Sequence, residues 1–264
     1  MLTAITRAVS PAIVNCELTF LERRPIDLER ARAQHRAYEE LLEQLGANVI
    51  SLPAEPALPD SMFVEDPALV LDELAVILPL GIVSRRPEAA SLALALTKFR
   101  TLAQITPPGS MEGGDVLRIG RTLYVGQSTR TNAEAIRQLT ALLAPHHYKV
   151  VPVPVTGCLH LKSAVTHLGR NVLLANRSWF DAAPFAPAGC FWLDVSPDEP
   201  HAANALAIGE TVIFPASFPH TRARIESAGF RVTSLDISEL QKAESGLTCS
   251  SLIFDTKRTP KPAP

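Results

Sequence analysis

The feature that most constrains the fold of this chain is a strand–turn–strand–helix unit that recurs along the sequence. Its clearest copy lies within residues 110–132. There Val116–Ile119 and Thr122–Val125 are short apolar runs on either side of Gly120, which predicts a β-hairpin. A helical spacing of apolar residues follows. The unit is therefore a hairpin that leads into a helix.

The start of that helix carries an unusual charge. Ser128 and Thr129 are candidate N-caps, and Arg130 directly follows them. Arg85 has a similar place ahead of a helix predicted over Pro87–Phe99. The helix dipole disfavours a cation at this end. We therefore expect each arginine to pair with a carboxylate.

Four such hairpins have turns at Glu73, Gly120, Gly169 and Gly209, at intervals of 47, 49 and 40 residues. Intervals of this size are typical of stacked or radially arranged repeats, although residue identity between the copies is weak. A chance alignment of four hairpins is the alternative. The other three hairpins are predicted over Ala68–Leu71 with Ala75–Leu78, Ala164–Leu168 with Val172–Ala175, and Ala205–Ile208 with Val212–Phe214.

Polar residues recur eight or nine positions before each turn, at Glu65, Glu112, His160 and His201. If the first strands of the units converge on one axis, these side chains project into a common central space. A fifth unit would be closed by the two chain ends. It would pair the last apolar run, Ser250–Phe254, with a strand at 12–15.

The bulk composition favours a globular protein with a small-molecule partner. The chain has 264 residues, 47% of them hydrophobic, a formal net charge of −2 and a pI of about 6.4. A chain of this length could form one large domain or two ordinary ones, and we expect residues 256–264 to be a disordered tail. A charge near zero disfavours nucleic acid, and the longest apolar run, Leu74–Val83, is too short to span a membrane.

The cysteines predict a reducing compartment. The four cysteines are too few for a disulfide-rich secreted scaffold and too widely spaced for a C-x-x-C metal pair, so we expect reduced thiols in a cytoplasmic protein. The sequence leaves the oligomeric state open, with a homodimer as one option.

Cys249 and His160 are the candidates for nucleophilic chemistry. A cysteine beside a short apolar strand is most often a core residue, but Cys249 follows a glycine-containing turn at the head of the last predicted strand. His160 alternates with Leu159 and Leu161, which predicts a strand with the histidine on the opposite face. A cysteine nucleophile needs its thiolate, and a histidine can move the protons.

Carboxylates complete the set of candidate residues. Asp60, Glu65 and Asp66 lie in strand-like sequence, where buried acids need a cationic partner. Glu112 precedes two glycines that would let another chain segment or a ligand approach closely. A solvated acidic loop is the alternative for both groups. No H-x-x-x-H or H-E-x-x-H spacing is present, which argues against a dedicated metal site.

Taken together, these residues resemble dimethylarginine dimethylaminohydrolase, within the guanidino-modifying superfamily that also holds arginine deiminases and amidinotransferases. The resemblance covers nearly the whole chain and rests on five segments in order: residues 31–70, SRR at 84–86, MEGGDVLRIGRTLYVGQSTRTN, LHLKS at 159–163 and GLTCSSLIF at 246–254. It implies a five-bladed α/β propeller of ββαβ repeats with pseudo-fivefold symmetry, as a single catalytic domain over residues 1–264.

The resemblance implies a role for each candidate. Cys249 matches the nucleophile, His160 the general acid and base, and Glu112 the carboxylate that orients the histidine. The remaining matches concern the substrate: Asp60, Asp66 and, more weakly, Glu65 for the guanidinium, Arg85 and Arg130 for the α-carboxylate, and the Ala243 carbonyl for the α-amine.

The implied reaction releases methylamine or dimethylamine and gives citrulline through a covalent thiouronium on Cys249. It needs no cofactor, and zinc captured by the Cys and His pair would inhibit. The chain departs from relatives at Glu244-Ser245, at Pro67 and in the lid stretch Cys16–Pro25. These departures put the Ala243 carbonyl, the acidic pocket and the size selectivity in question.

Two rival functions stay open at this point. The nearest is an arginine or agmatine deiminase or an amidinotransferase, although those families are usually longer. A pair of arginines for an α-carboxylate, Arg85 and Arg130, disfavours agmatine. The second rival is a propeller that has lost catalysis and only binds, against which the joint presence of Cys249, His160 and Glu112 argues.

Overall fold

Five separate three-stranded sheets make up the β-structure of the computed structural model, which describes residues 1–256. Each sheet has a middle strand that pairs antiparallel with one neighbour and parallel with the other. The strands are β1 Leu2–Arg7, β2 Asn48–Leu52, β3 Ala68–Val70, β4 Leu74–Ile77, β5 Thr101–Gln104, β6 Val116–Ile119, β7 Thr122–Gln127, β8 Lys149–Pro154, β9 Val165–Gly169, β10 Val172–Ala175, β11 Phe191–Asp194, β12 Leu206–Ile208, β13 Thr211–Pro215, β14 Arg231–Leu235 and β15 Leu252–Asp255.

Helices connect the strands of most sheets. The α-helices are α1 Leu28–Gln44, α2 Glu88–Leu96, α3 Ala133–Leu143, α4 Leu161–Ala164, α5 Pro219–Ser227 and α6 Ser238–Gln241. Short 3-10 helices span Ile13–Asn15, Val83–Arg85, Gly113–Asp115, Ala144–His146, Ala183–Ala188 and Thr248–Ser250. Four units therefore have a ββαβ order. In the unit of β9, β10 and β11, the 3-10 helix Ala183–Ala188 takes the place of the α-helix.

The first strands of the units surround a common axis. β15 contacts β3, β6 contacts β9, and β9 contacts β12. A cavity of about 300 Å³ is lined by residues from or directly beside the first strands of all five sheets, including Leu69, Leu117, Thr166, Leu206 and Ile253. The chain therefore adopts the predicted five-bladed α/β propeller.

The two chain ends close the propeller, as expected, but through a different N-terminal segment. β1 pairs antiparallel with β15, with Ala4 opposite Ile253, and parallel with β2. The strand predicted at 12–15 is wrong, because Ile13–Asn15 forms a 3-10 helix. Thr256, the first residue of the predicted tail, donates from its amide to the Met1 carbonyl (3.0 Å). The rest of that tail lies outside the described residues.

Helix starts follow the capping chemistry of the sequence, with one correction. The Asp27 side chain caps α1 by accepting the Arg30 amide, and Ala31, Tyr38 and Leu42 form the buried face of that helix. α3 is capped by Asn132 and not by Ser128 or Thr129. The Asn132 side chain accepts the Ala135 amide at 2.9 Å, so the helix begins later than predicted.

The apolar core lies between the sheets and their helices. One cluster packs α1 against the sheet of β15, β1 and β2. Other clusters fill the space around α3 and around β10. Within residues 1–256, we found no helix with the length and hydrophobicity needed to cross a bilayer.

Candidate active site

The blade formed by β6, β7 and β8 supplies a buried carboxylate, Glu112, from the Glu112-Gly-Gly-Asp115 turn that precedes β6. Glu112 directly precedes the 3-10 helix Gly113–Asp115, which leads into β6. A Cβ on Gly113 would lie 2.0 Å from the Glu65 carbonyl oxygen, and one on Gly114 would lie 2.5 Å from His160 Nδ1. The expectation that these glycines allow a close approach is confirmed, because backbone and an imidazole ring occupy the space that side chains would fill.

His160 reaches Glu112 from the neighbouring blade. It caps the short helix α4 in an extended conformation, so the strand predicted around it is wrong. His160 Nε2 lies 2.7 Å from Glu112 Oε2, with Glu112 fully buried and His160 only 5% exposed. The structure therefore brings together His160, the residue expected to transfer protons, and Glu112, the carboxylate expected to orient it.

The charges of this pair are set by burial and by opposite neighbours. Burial favours the neutral imidazole, but Asp66, Glu112 and Asp115 outweigh it and raise the pKa of His160 to about 9. Burial also favours neutral Glu112, yet the His160 hydrogen bond and nearby arginines lower the pKa of that carboxyl to about 2. At neutral pH the pair is an imidazolium and a carboxylate.

Asp66 and Arg85 extend the buried polar cluster. Arg85 Nη1 donates to Asp66 Oδ2 at 3.0 Å and lies 4.0 Å from Glu112 Oε2. Its Nε and Nη2 fork onto the two oxygens of Glu88, each at 3.0 Å. Asp66 Oδ1 also accepts the Gly114 amide at 3.2 Å. The predicted pairing of this arginine with a carboxylate is confirmed, although Arg85 lies in the 3-10 helix Val83–Arg85 and not at the start of α2.

Arg130 joins the same cluster from the loop that precedes α3. Its Nη1 donates to Glu112 Oε1 at 3.4 Å, and its Nη2 donates to the Thr19 hydroxyl at 2.7 Å. Ser128 accepts the Arg130 amide and donates to Asp115 at 2.6 Å. Instead of capping the helix, Ser128 thus fixes the backbone that carries this arginine.

Asp60 is buried beside the cluster, and Ala243 is buried in the apolar core that packs around α1. Asp60 Oδ2 accepts the Glu17 amide at 3.1 Å, and burial raises the pKa of the Asp60 carboxyl. The Ala243 amide donates to the Leu240 carbonyl at 2.9 Å.

Cys249 lies in the 3-10 helix Thr248–Ser250, immediately before β15 and not within it. The Gly246 amide donates to its Sγ at 3.4 Å. Burial raises the pKa of the Cys249 thiol to about 12, with further contributions from the charges of Glu65 and Asp66. The thiol is therefore neutral at pH 7, and an added cation would favour the thiolate.

Glu65 makes a separate network behind the nucleophile. It pairs with Lys162 Nζ, and its Oε2 accepts the Thr248 hydroxyl at 2.8 Å. Asn204 donates from its amide to the Thr248 hydroxyl (3.1 Å) and accepts the Thr248 amide (3.1 Å). This network supports the residue before Cys249, and Glu65 and Lys162 also line the axial cavity.

His201, the fourth residue predicted at the axis, does not join the cluster. Its side chain is exposed and its ring centroid lies 4.9 Å from that of Trp179. The repeat spacing placed His201 correctly in its unit, but the loop before β12 directs it elsewhere. All four cysteines are free thiols, as predicted.

Several residues around the site were not singled out from the sequence. Asp115 is fully buried and accepts the Leu161 amide at 2.9 Å, which holds the residue next to His160. Its position three residues after Glu112 is the only feature of the local sequence that could have marked Asp115 as part of the site. Glu88 pairs with Arg85 only three residues before it, a spacing that the sequence could have shown. Lys162, Asn204 and Thr19 gain their roles from partners distant in the chain, for which the sequence gives no local signal. Glu244, noted from the sequence only as a departure from relatives, likewise has its partners far away.

One group of side chains in the described part of the chain has the composition of a metal site. Ligand atoms of Asp66, Glu112 and His160 all lie within 4.8 Å of one another. In the structure these atoms are engaged by each other and by Arg85. A guanidinium at this position competes with a metal ion for the same carboxylate oxygens.

Comparisons with known proteins agree with this geometry. Residues 19–181 match the family model described as N,N dimethylarginine dimethylhydrolase, eukaryotic. The chain is 36% identical over 230 residues to N(G),N(G)-dimethylarginine dimethylaminohydrolase of Pseudomonas aeruginosa, covering 86% of this chain and 90% of that protein. It is also 36% identical over 250 residues to the protein of the same name from Streptomyces coelicolor, covering 94% and 95%.

A solved structure supports the same assignment. The Pseudomonas aeruginosa enzyme, crystallised as a Cys-to-Ser mutant in complex with citrulline, superposes with a TM-score of 0.90 at 33% identity. The match covers 96% of this chain and 98% of that one. Sequence, fold and site geometry lead to one conclusion: this chain belongs to the dimethylarginine dimethylaminohydrolase family.

Proposed function

We propose that this protein hydrolyses N(G)-methylated L-arginine to L-citrulline and methylamine or dimethylamine. The observation that carries the proposal is the buried His160–Glu112 ion pair beside Asp66, in a member of this family that also has a half-buried free cysteine at position 249. We assign Cys249 as the nucleophile, His160 as the proton carrier and Glu112 as the residue that orients His160.

Substrate binding supplies the charge that the nucleophile lacks. The Cys249 thiol is neutral in the free protein because burial and the acids Glu65 and Asp66 raise its pKa to about 12. A guanidinium bound against Asp66 and Asp60 brings a positive charge next to the sulfur. This charge favours the thiolate, so the thiol proton passes to solvent as the substrate binds, and the bound carboxylates keep the guanidinium carbon electrophilic.

The first half of the reaction releases the amine. The Cys249 thiolate forms a bond to the guanidinium carbon, and His160, protonated at neutral pH, donates a proton to the methylated nitrogen. The C–N bond then breaks, its electron pair leaves with the amine, and a cationic S-alkylthiouronium stays on the sulfur.

The second half uses the same histidine as a base. Neutral His160 accepts a proton from a water molecule whose oxygen attacks the thiouronium carbon. The C–S bond breaks, the electron pair returns to the Cys249 sulfur, and the second water proton passes to solvent. The product carbon now carries the oxygen of citrulline.

The remaining predicted residues form the far end of the substrate site. We assign Arg130 and Arg85 to the α-carboxylate and the Ala243 carbonyl to the α-amine. In the free protein Arg85 is engaged by Asp66 and Glu88, and Arg130 by Glu112 and Thr19. An arginine has five N–H donors, so each can hold a further carboxylate. Glu65 belongs instead with the acids of the guanidinium end. Because it is paired with Lys162, its carboxylate acts on the guanidinium through its charge and not through direct contact.

A citrulline assay tests the proposed function. Purified protein is incubated with asymmetric dimethylarginine, monomethylarginine and arginine, with Cys249→Ser as the inactive variant and Cys190→Ser as the matched control. We expect citrulline from the methylated substrates with wild type and Cys190→Ser only. If arginine is the one good substrate, the protein is a deiminase. If none of the three turns over, the proposal fails.

We also propose that the whole chain works as one catalytic unit in the cytoplasm; its oligomeric state, with a homodimer as one option, is a question for measurement in solution. Four free thiols in the described structure support a reducing location. Light scattering after size exclusion tests the dimer, and cell fractionation tests the location.

A further inference from the structure

An exposed stretch beside the site, residues 17–21, is held in place although it has no helix or strand structure of its own. We call it the cover segment. The Glu17 amide donates to Asp60 Oδ2 at 3.1 Å, and the Thr19 hydroxyl accepts from Arg130 at 2.7 Å. Both partners belong to the proposed substrate site. The cover segment therefore contacts the residues that a bound amino acid would engage.

Glu244 holds the other side of the cover segment. Its carboxylate accepts the backbone amides of three consecutive residues, Thr19, Phe20 and Leu21, with Thr19 at 3.0 Å from both oxygens. A carboxylate that receives several backbone N–H groups makes strong, directional hydrogen bonds. In this exposed segment, one side chain thus fixes the path of three residues.

The position of Glu244 joins the cover segment to the nucleophile. It follows Ala243 and lies two residues before Gly246, whose amide donates to Cys249 Sγ. Glu244 has a φ of 57°, in the left-handed region that favours glycine. A strained residue is used here, and its side chain makes the contacts that a glycine could not.

A cavity of about 500 Å³ borders the same elements. Its lining includes Phe20 and Leu21 of the cover segment, Glu244 and Gly246 of the nucleophile turn, and Leu159 beside His160. The cover segment therefore forms a wall between solvent and the residues that flank the catalytic pair. Its placement controls how tightly a ligand is enclosed.

We propose that Glu244 is a positioning residue for substrate binding, which holds the cover segment so that Arg130 and Asp60 are enclosed around the bound amino acid. The inference rests on the proposed function. Enclosure of the substrate stabilises the ground state and the transition state alike. Loss of Glu244 therefore raises KM and leaves kcat nearly unchanged.

Four variants separate the carboxylate from the backbone strain: Glu244→Ala, Glu244→Gly, Glu244→Gln and the control Glu22→Ala. Ala and Gly both remove the acceptor, but Gly also relieves the positive φ. We expect KM for the methylated substrate to rise about tenfold in both, with kcat within about threefold of wild type. Gln keeps one acceptor oxygen and should fall between them and wild type. Exposed Glu22 removes the same charge from a neighbouring position and should change nothing.

Limited trypsin digestion provides a readout that does not depend on turnover. Cleavage after Arg23 reports on the end of the cover segment, and cleavage after exposed Arg222 in α5 reports on general unfolding. We expect Glu244→Ala and Glu244→Gly to accelerate only the cut after Arg23, and citrulline to slow that cut in wild type.

Several results would overturn the proposal. They are a wild-type KM in Glu244→Gly, an equal fall in kcat and kcat/KM, or equal acceleration of both cuts. Failure of the proposed function looks different, because the wild-type protein would then turn over none of the substrates while the digestion pattern of the Glu244 variants still reports on the cover segment.

Discussion

The buried polar cluster of Asp66, Arg85, Glu112 and His160 and the cover segment contact each other through Arg130, yet they are built in opposite ways. In the cluster each member is more than nine-tenths buried, and glycines at 113 and 114 let backbone and ring pack without gaps. The cover segment is largely exposed and is ordered by side chains from distant parts of the chain. We infer that the cluster determines the chemical step and that the cover segment determines affinity.

The largest effect should follow from removing the proton carrier. We expect His160→Ala to lower kcat roughly 10³-fold, since general acid–base catalysis contributes on the order of 10²–10⁴. His201→Ala is the matched control, because His201 occupies the corresponding position of another unit but is exposed, with its ring tilted against that of Trp179. Steady-state citrulline formation measures both. Equal losses in the two variants would remove His160 from the chemistry.

A change at Glu112 should alter the pH dependence as well as the rate. The wild-type kcat/KM, which reports the groups of the free enzyme, should fall as pH rises through about 9, where His160 loses the proton that the departing amine needs. Glu112→Gln removes one of the carboxylates that raise this pKa, so the alkaline limb moves to lower pH, and kcat near neutrality falls roughly 10²-fold.

Exposed Glu43→Gln is the control for that change and should leave the profile in place. A Glu112→Gln profile that keeps the wild-type alkaline limb would mean that another group titrates there.

Arg130 bridges the two regions, so its loss separates affinity from rate. We expect Arg130→Ala to raise KM about 10²-fold while kcat falls less than tenfold, since a carboxylate clamp acts in ground and transition states alike. Exposed Arg137→Ala on α3, the helix that follows, serves as control. An equal loss in kcat and kcat/KM would place Arg130 in the chemical step.

The smallest effect is expected within the cover segment itself. Thr19→Val keeps the side-chain shape but removes the hydroxyl that accepts from Arg130. Because Thr19 is exposed, we expect KM to rise only about two- to threefold with kcat unchanged. Initial rates at several substrate concentrations resolve this. A fall in kcat alone would mean that the cover segment takes part in catalysis.

The repeats and the central residues were predictable because their signals are local. Alternating apolar runs around Gly120, Gly169 and Gly209 mark hairpins, and a spacing of eight or nine residues before those turns marks Glu112 and His160 as neighbours in space. The same reasoning placed His201 at the axis wrongly, because spacing fixes a position within a unit but not the direction of a loop side chain.

The parts that could not be predicted depend on partners far apart in the chain. Glu244 binds residues more than 220 positions away, and Glu65 pairs with Lys162 at a separation of 97. The start of α3 was missed for a different reason. Ser128, a good cap by type, is drawn away by buried Asp115, and Asn132 caps instead.

The central claim is that Cys249 carries the substrate as a covalent thiouronium, and intact-mass spectrometry of acid-quenched enzyme tests it most directly. With wild-type enzyme quenched in acid during turnover of a methylated arginine, we predict one adduct on Cys249 with the mass of the substrate minus the released amine. Cys249→Ser should show none. Citrulline formation by Cys249→Ser at the wild-type rate, without any adduct on the wild-type enzyme, would contradict the account.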